Sequence, residues 1–193
     1  MITQVPGRRE RKKAATRKAL SGAALRLFLE RGYDGVTVAE VADEADTALA
    51  TLFAHFPAGK EALIFDDGTE RREALEAALT ERPAGTSALD ALETYLANRG
   101  AFAESLSPEE QRKRELIIST PVLRAHARSL WMGCEGSLTG LLAEESGRDP
   151  QDVSLRLLAR YVLELPDLIG ADRHSRASLE TAFAHLRRGW PDL

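Results

Sequence analysis

The sequence predicts an all-α fold, and three observations support this prediction. Apolar residues recur at intervals of three and four along most of the 193 residues, which is the spacing of one face of an α-helix. Residues that favour helix starts stand before several of these segments, as at Ser107-Pro108 and Thr120-Pro121. No segment convincingly alternates apolar and polar residues as a half-buried strand does. We therefore expect helices connected by short loops.

The first predicted helix carries a basic run and ends before Gly32, which favours a left-handed cap. Residues 1–31 contain nine Lys or Arg and two Glu, a net charge of +7 in a chain of net charge −4. Such a segment is typical of a protein that binds a phosphate backbone. Taken alone, a solvated helix face with a disordered tail explains the charges equally well. The core stripe of this helix is Leu20, Ala24, Leu27 and Phe28.

Two short helices joined by a tight turn are predicted next. Thr37 and Glu40 form a capping box, which starts a helix over residues 38–44. Asp46 follows, and this residue type tolerates left-handed backbone geometry. Helical spacing then resumes and stops before Pro57. Two helices joined by three or four residues are the arrangement that places one helix in the major groove of DNA.

These segments resemble the DNA-binding end of the TetR family of bacterial repressors. In that family a long first helix ends in a phrase like residues 27–38, LFLERGYDGVTV, and the two short helices lead into a phrase like residues 51–63, TLFAHFPAGKEAL. Several matches in the right order are far more specific than a helix-turn-helix pattern alone. The resemblance implies a three-helix DNA-binding helix-turn-helix domain with a basic N-terminal arm over residues 1–57. A helical effector-binding and dimerisation domain would cover residues 58–193.

The chain departs from the family pattern at several positions. Asp46 replaces the usual turn glycine, and Ala48 replaces the usual capping serine. Leu49 stands at a frequent base-reading arginine position, and Phe53 replaces a phosphate-contacting tyrosine. An additional Gly59 lengthens the approach to the next helix. An alternative therefore stays open, namely a helical ligand-binding or protein-interaction module whose degenerate helix-turn-helix no longer binds an operator.

The second short helix is the predicted recognition helix. It has no Arg, Lys, Asn or Gln between residues 47 and 56, so bidentate reading of guanine or adenine is not available. Small and apolar residues would instead contact thymine methyl groups, and specificity would depend on methyl contacts and DNA shape. The predicted DNA-binding residues are Arg8, Arg9, Arg11, Lys12, Lys13, Thr37, Thr47, Ala48, Leu49, Ala50, Thr51, Phe53, His55 and Lys60, of which Lys60 is the clearest phosphate contact outside the basic run.

Two plainer interpretations apply to this helix. The residues Leu49, Leu52, Phe53 and Phe56 are at helical spacing and would all be core residues in a folded domain of this size. His55 stands where the family contacts phosphate, but a half-exposed histidine without a role is equally consistent with the sequence.

The remainder of the chain predicts further helices. One long helix covers residues 59–81, and the next starts after Thr86 or Ser87 and extends towards Leu106. A capping box with proline at the first helical position starts another helix at Ser107. One apolar stripe then follows residues 121–147, and a final pair of helices follows, in which Pro166 bends or ends the first.

The resemblance also implies two functions for the second domain. In the TetR family this domain encloses a cavity whose small-molecule occupant weakens DNA binding, and its last two helices pair with those of a second chain. A dimer is also expected because one recognition helix reads too few base pairs. Candidate pocket residues are Phe65, Tyr95, Phe102, Trp131, Cys134 and Tyr161, and candidate dimer-interface residues are Leu158, Val162, Leu165, Leu179, Phe183 and Leu186. Ordinary core packing explains both sets as well.

Composition excludes several other classes of protein. The chain is 44% hydrophobic and 29% charged, which is typical of a soluble globular protein, and we expect a cytoplasmic location without a membrane partner. Nucleotide-binding loops, nucleophile elbows and paired metal ligands are absent, and Cys134 is eight residues from the nearest histidine on its helix. We therefore predict no enzyme activity, no metal and no cofactor. The sequence indicates a homodimeric regulator, more readily a repressor, whose partners are double-stranded operator DNA and an unidentified small-molecule effector.

Overall fold

The computed structural model describes residues 7–65 and 68–191, and every regular element in these ranges is helical, which confirms the all-α prediction. Two short 3-10 helices span Lys60–Ile64 and Gly100–Phe102. The α-helices are α1 (Arg8–Arg31), α2 (Val38–Glu44), α3 (Leu49–His55), α4 (Thr69–Thr80), α5 (Ala88–Ala97), α6 (Pro108–Ser119), α7 (Pro121–Met132), α8 (Glu135–Ser146), α9 (Val153–Ile169) and α10 (Ser175–Gly189).

The chain separates into two compact units on either side of the boundary after Phe65. The first unit contains α1, α2, α3 and the 3-10 helix Lys60–Ile64, and the second contains α4 to α10. The sequence placed the domain boundary at residue 57. In the structure the first unit extends to Phe65, and the 3-10 helix Lys60–Ile64 therefore belongs to this unit.

The first unit has a small apolar core. The stripe on α1 buries Leu20 and Phe28, and α3 adds Leu52 to the same interior. Each such side chain stabilises the fold by roughly 1.5–3 kcal/mol through the removal of apolar surface from water. Gly32 ends α1 at a φ of 77°, a backbone conformation that favours glycine. The chain can therefore turn directly into the loop that precedes α2.

The core of the second unit lies around α9. Its side chains Leu155, Leu158 and Val162 are fully buried, and helices α7, α8 and α10 all contact it. Arg187 connects α10 to α5, because its guanidinium bonds Asp90 at 2.6 Å and also bonds Glu93. This unit therefore has its own interior.

Two of the predicted helices are shorter in the structure. The segment predicted as one helix over 59–81 consists of the 3-10 helix Lys60–Ile64 and then α4, which Gly68 precedes in left-handed conformation; residues 66 and 67 lie outside the described ranges. The helix predicted to extend towards Leu106 ends at Ala97, because the chain turns through a second 3-10 helix that buries Phe102. In both cases the apolar spacing continues past a break in the hydrogen-bonded helix.

The apolar stripe over residues 121–147 is divided between α7 and α8. The break falls at Gly133 and Cys134, where the amide of Cys134 donates to the carbonyl of Trp131. Glycine costs about 1 kcal/mol more than alanine within a helix, and this cost favours the break. In contrast, α9 continues past Pro166 to Ile169, so the proline does not end that helix.

Candidate nucleic-acid interface

Local interactions fix the start of α2 and the turn that follows it. The hydroxyl of Thr37 accepts from the amide of Glu40 at 3.2 Å, and the amide of Thr37 donates to the Glu40 carboxylate at 2.7 Å, which confirms the capping box. Asp46 adopts a φ of 48°. The amide of Thr47 donates back to the carbonyl of Ala42 at 2.9 Å, which closes the turn. These contacts orient α3 against α2.

Helix α3 has one buried face and one exposed face. Leu52 and Phe56 are 0% and 1% exposed, whereas Leu49 and Phe53 are 41% and 45% exposed. The interpretation that all four residues are core residues is therefore correct for the first pair and wrong for the second. Ala50 and Ala54 are also exposed, next to the second pair. We call the surface of Leu49, Ala50, Phe53 and Ala54 the α3 face.

The basic run is part of α1 rather than an extended arm. The helix begins at Arg8, and the side chains of Arg8, Arg9, Arg11, Lys12 and Lys13 are exposed on its first two turns. No ion pair within the described residues involves these five side chains. Their positive charge is therefore available to an external anion.

Two arginines near the other end of α1 form ion pairs with two acidic side chains of α2. Arg31 bonds Glu40 at 2.6 Å, and Arg26 bonds Glu44 at 2.9 Å. The amide of Thr37, followed by the guanidinium of Arg31, lowers the pKa of Glu40 from its ordinary 4.5 to about 2. The acidic side chains that the sequence places beside α3 are thus partly compensated within the unit.

Arg17 positions the end of α3, a role that was not predicted from the sequence. Its guanidinium donates to the carbonyl of His55 at 2.6 Å and lies 4.2 Å from the centre of the Phe56 ring. A cation at the C-terminal end of a helix interacts favourably with the carbonyls there. The sequence shows Arg17 only as one charge of the basic run, because its partners lie 38 and 39 residues away.

The ammonium group of Lys60 is bound within the first unit. It donates to the carbonyl of Tyr33 and lies 3.9 Å from the centre of the Tyr33 ring. Partial burial lowers the pKa of Lys60. The Tyr33 hydroxyl donates to Glu61 at 3.0 Å, and burial, then this bond, raises the pKa of Tyr33. Lys60 therefore does not extend freely from the surface as a phosphate contact would.

The other predicted DNA-binding residues differ in exposure. Thr37 and Ala48 are exposed helix caps, although the Thr37 hydroxyl is committed to Glu40. Thr47 and Thr51 are half-buried, and the Thr47 hydroxyl donates to the carbonyl of Ala45. His55 is half-buried, and its Nδ1 atom is enclosed without a hydrogen-bond partner in the described part of the chain.

The structure brings together only part of the predicted ligand pocket. Tyr95 and Trp131 pack edge to face with ring centres 6.4 Å apart, and Cys134 and Phe102 are buried in the same core. Phe65 belongs to the first unit. Tyr161 is 48% exposed, and its ring contacts Trp190 with centres 6.0 Å apart.

The described part of the second unit carries an apolar cavity and a larger groove. The cavity, of about 70 Å³, lies open to solvent between α6, α7 and α9, and its wall includes Ile117, Ile118, Trp131 and Pro166, with Arg124 and Arg128. Arg124 bonds Asp167 at 2.6 Å, and Arg128 bonds Glu164. A larger groove of about 330 Å³ lies between α4, α5 and α8 and is lined partly by the ion-paired Arg82 and Glu145. Trp131 is the predicted pocket residue that borders the first cavity.

The six predicted dimer-interface residues belong to the core of their own chain. Leu158, Val162, Leu165, Leu179, Phe183 and Leu186 are each at most 9% exposed. A different set of apolar side chains on α9 faces outward, with exposures between 43% and 64%, and we call it the α9 face: Val153, Leu157, Tyr161 and Leu168. The most regular apolar stripe, on which the prediction depended, is the one that packs inward.

Metal-binding clusters and membrane-spanning helices are both absent from the described part of the chain. No group of three or more His, Cys, Asp or Glu there is arranged to hold a metal ion. None of the helices in residues 7–65 and 68–191 is both long and apolar enough to cross a lipid bilayer.

Both units match known proteins. Residues 21–66 match the family described as bacterial regulatory proteins, tetR family, and residues 86–166 match the MftR C-terminal domain. The chain is 33% identical over 159 residues to the HTH-type transcriptional regulator TcmR of Streptomyces glaucescens, an alignment that covers 76% of this chain and 67% of that protein.

Two further comparisons extend over most of the chain. It is 27% identical over 153 residues to the mycofactocin biosynthesis transcriptional regulator MftR of Mycobacterium tuberculosis, with coverage of 79% and 77% of the two chains. The solved structure of Salmonella enterica GusR matches with a TM-score of 0.57 at 21% identity, over 90% of this chain and 92% of that one. This last likeness concerns the fold alone.

Proposed function

The chain belongs to the tetR family of bacterial regulatory proteins, and we propose that it represses transcription by binding a two-fold symmetric DNA operator until a small molecule releases it. The family makes it a ligand-responsive DNA-binding regulator and not an enzyme. We place it in the cytoplasm, where bacterial DNA lies. The observation that carries the proposal is an exposed, uncharged helix face in the same compact unit as five exposed basic side chains.

The proposal divides the DNA contacts between two elements. Arg8, Arg9, Arg11, Lys12 and Lys13 on α1 bind phosphates, which supplies most of the affinity without selecting a sequence. The α3 face enters the major groove, with Ala48 and Thr51 at its edge. Thr37, Thr47 and His55 are assigned to the border of the contact. Lys60 stabilises the unit through Tyr33 and does not contribute a phosphate contact in this proposal.

A second copy of the chain completes the regulator. One helix reads only part of an operator, whereas a dimer reads two half-sites about one DNA turn, roughly 34 Å, apart. We assign the dimer contact to the α9 face, because it is the apolar surface of this helix that the described part of its own chain leaves exposed. The contact of Tyr161 with Trp190 continues this surface towards α10, where Ala177, Thr181 and Ala184 are exposed.

The effector is assigned to the cavity beside Trp131. Its apolar wall comes from three helices, and two of these, α7 and α9, are joined across it by ion pairs of Arg124 and Arg128. A molecule that enters between these helices must separate them, so it prefers a different arrangement of the second unit. Such a preference weakens operator binding by the difference between the free energies with which the effector binds the two arrangements, typically about 1–3 kcal/mol.

The test is a selection of operator sequences from random duplex DNA by the full-length protein. We expect an enriched sequence with dyad symmetry, bound with an affinity that falls steeply with salt. Changing Arg11, Lys12 and Lys13 together to alanine should weaken binding to every sequence. For each phosphate that the variant no longer neutralises, the slope of log K against log salt should become shallower by about 0.9.

A matched variant controls for total charge. Changing Arg72, Arg112 and Arg173 to alanine removes three exposed positive charges from the second unit, and we expect no change in the salt slope. The proposal fails if no duplex is enriched at low salt. It also fails if both triple variants change the slope equally, because the basic residues of α1 would then act only through net charge.

A further inference from the structure

The α3 face offers DNA bases only apolar contacts. Leu49 and Phe53 are one helical turn apart and nearly half exposed, and Ala50 and Ala54 lie beside them. None of these four side chains has a hydrogen-bond donor or acceptor. Thr51 has the nearest hydroxyl, but it is half-buried. The face therefore cannot recognise a base by hydrogen bonds from its side chains.

The exposure of these side chains is not explained by packing within the unit. Leu52 of the same short helix and Phe56, which directly follows it, are fully buried, so the unit already has an apolar anchor for α3. Leaving a leucine and a phenylalanine in water forgoes the stabilisation that their burial gives. A partner that covers them would recover it.

The major groove of DNA contains one apolar group on the base edges, the methyl group at C5 of thymine. Basic side chains on the first two turns of α1 favour a polyanionic partner over an apolar protein surface. We propose that Leu49 and Phe53 read thymine methyl groups, so that methyl contacts at thymines determine operator specificity. This inference rests on the proposed function, since it requires the first unit to bind duplex DNA.

The spacing of the two side chains limits where the thymines lie. Four residues of α-helix rise about 6 Å, and base pairs are stacked about 3.4 Å apart. When α3 lies along the groove, Leu49 and Phe53 span roughly two base-pair steps. Each half-site should therefore contain two thymines, on either strand, within about two steps of each other.

The experiment replaces the thymines of the selected operator one at a time by deoxyuridine. Deoxyuridine retains every hydrogen-bonding atom of thymidine and lacks only the methyl group. We expect full-length protein to lose roughly three- to five-fold in affinity at one or two thymines in each half-site, the effect of exposing one methyl-sized group. Replacement at the other thymines should have no effect.

Two variants connect each thymine with a side chain. Leu49→Ala and Phe53→Ala should each become insensitive to deoxyuridine at one thymine while remaining sensitive at the other, which is a double-mutant cycle between protein and DNA. Val122→Ala changes a similarly exposed apolar residue of the second unit and should retain the full sensitivity.

The outcomes separate this inference from the proposed function. If operator binding is strong and dyad-symmetric but no deoxyuridine substitution changes it, methyl reading is refuted and the regulator remains. If selection enriches no duplex at all, both are refuted. Sensitivity to deoxyuridine that persists in both alanine variants also refutes the assignment to Leu49 and Phe53.

Discussion

Two exposed apolar surfaces, the α3 face and the α9 face, have similar chemistry and different surroundings. The large side chains of the α3 face are 41–45% exposed, and those of the α9 face are 43–64% exposed. The α3 face is one helical turn long and shares its unit with basic residues that make no ion pair within the described ranges. The α9 face extends from Val153 to Leu168, about 22 Å along its helix, and Arg160 beside it is paired with Glu135 and Glu164.

Exposed apolar area therefore does not by itself identify a partner. Neighbouring charge and the length of the face distinguish the two surfaces. A long apolar stripe bordered by neutralised ion pairs fits a second copy of the same chain, since like charges do not meet across it. A short stripe with uncompensated positive charge fits a polyanion with small apolar groups, which is DNA.

The largest expected effect comes from placing a charge on the α9 face. Leu157→Arg would bury an unpaired guanidinium in the proposed dimer contact, which is strongly unfavourable. We expect the chain to become a monomer at micromolar concentration. Operator affinity should then fall by roughly a hundred-fold or more, because the second half-site no longer adds to the first. Sedimentation velocity and gel shift measure the two effects.

Val122→Arg is the matched control for that change. Val122 is 40% exposed on α7, outside the α9 face, so the variant should remain dimeric and bind the operator normally. A dimeric Leu157→Arg variant would contradict the assignment of the α9 face. In that case a surface other than the α9 face would form the two-fold contact of the dimer.

The features predicted from the sequence are those set by residues close together in the chain. The capping boxes at Thr37 and Ser107 each involve residues three positions apart, and the left-handed residue at Asp46 is a property of that residue type in a turn. Each of these features depends only on residues within a few positions of one another. Helix starts and the short helix α3 could therefore be predicted.

Features that depend on distant contacts could not be predicted. Apolar periodicity finds the stripe of Leu158 and Val162 on α9 but does not show that this stripe packs inward while Leu157 is exposed. The bond from Arg17 to His55 joins residues 38 positions apart. Lys60 stands where the family pattern suggests a phosphate contact, but folding brings it onto the Tyr33 carbonyl. Each of these depends on which helix faces pack together.

The next largest effect should distinguish Lys60 from the basic residues of α1, which we propose supply the phosphate contacts. Lys60→Met removes an ammonium group bonded within the unit, so we expect the free energy of unfolding of the first unit to fall by about 1–2 kcal/mol, with an unchanged salt slope for operator binding. Lys13→Met should do the reverse. It should make the salt slope shallower by about 1.8, because the dimer loses two phosphate contacts, and change stability by less than about 0.5 kcal/mol.

Urea unfolding followed by hydrogen exchange of residues 37–56 measures the first quantity, and gel shifts at several salt concentrations measure the second. Trp131 and Trp190 both lie in the second unit, so tryptophan fluorescence would not report on the first. Equal changes of salt slope in the two variants would show that Lys60 also contacts a phosphate. The positive charge beside the α3 face would then come from two elements.

The smallest expected effect concerns the acidic helix α2 beside α3. Glu40→Gln keeps a side chain that can cap the helix but removes the charge that bonds Arg31. Because the folded pKa of Glu40 is about 2 and its ordinary value is 4.5, its charge stabilises the fold fully above about pH 4.5 and loses this effect as the pH falls towards 2. Hydrogen exchange of α2 should therefore be faster in the variant at pH 7, and the difference between the two chains should shrink as the pH falls from about 4.5 towards 2.

Glu110→Gln is the control in the second unit, since Glu110 makes the same two capping bonds with Ser107, and the cation that acts on it, Lys113, is the smallest contribution to its pKa shift. Its pKa is also lowered, chiefly by the Ser107 hydroxyl. We expect a smaller difference between wild type and this variant in the exchange of α6 at pH 7. The larger difference in hydrogen exchange expected for Glu40→Gln measures how much the ion pair with Arg31 stabilises α2. Equal differences at the two sites would mean that Arg31 does not stabilise α2, and the acidic residues beside the α3 face would then oppose DNA without compensation from α1.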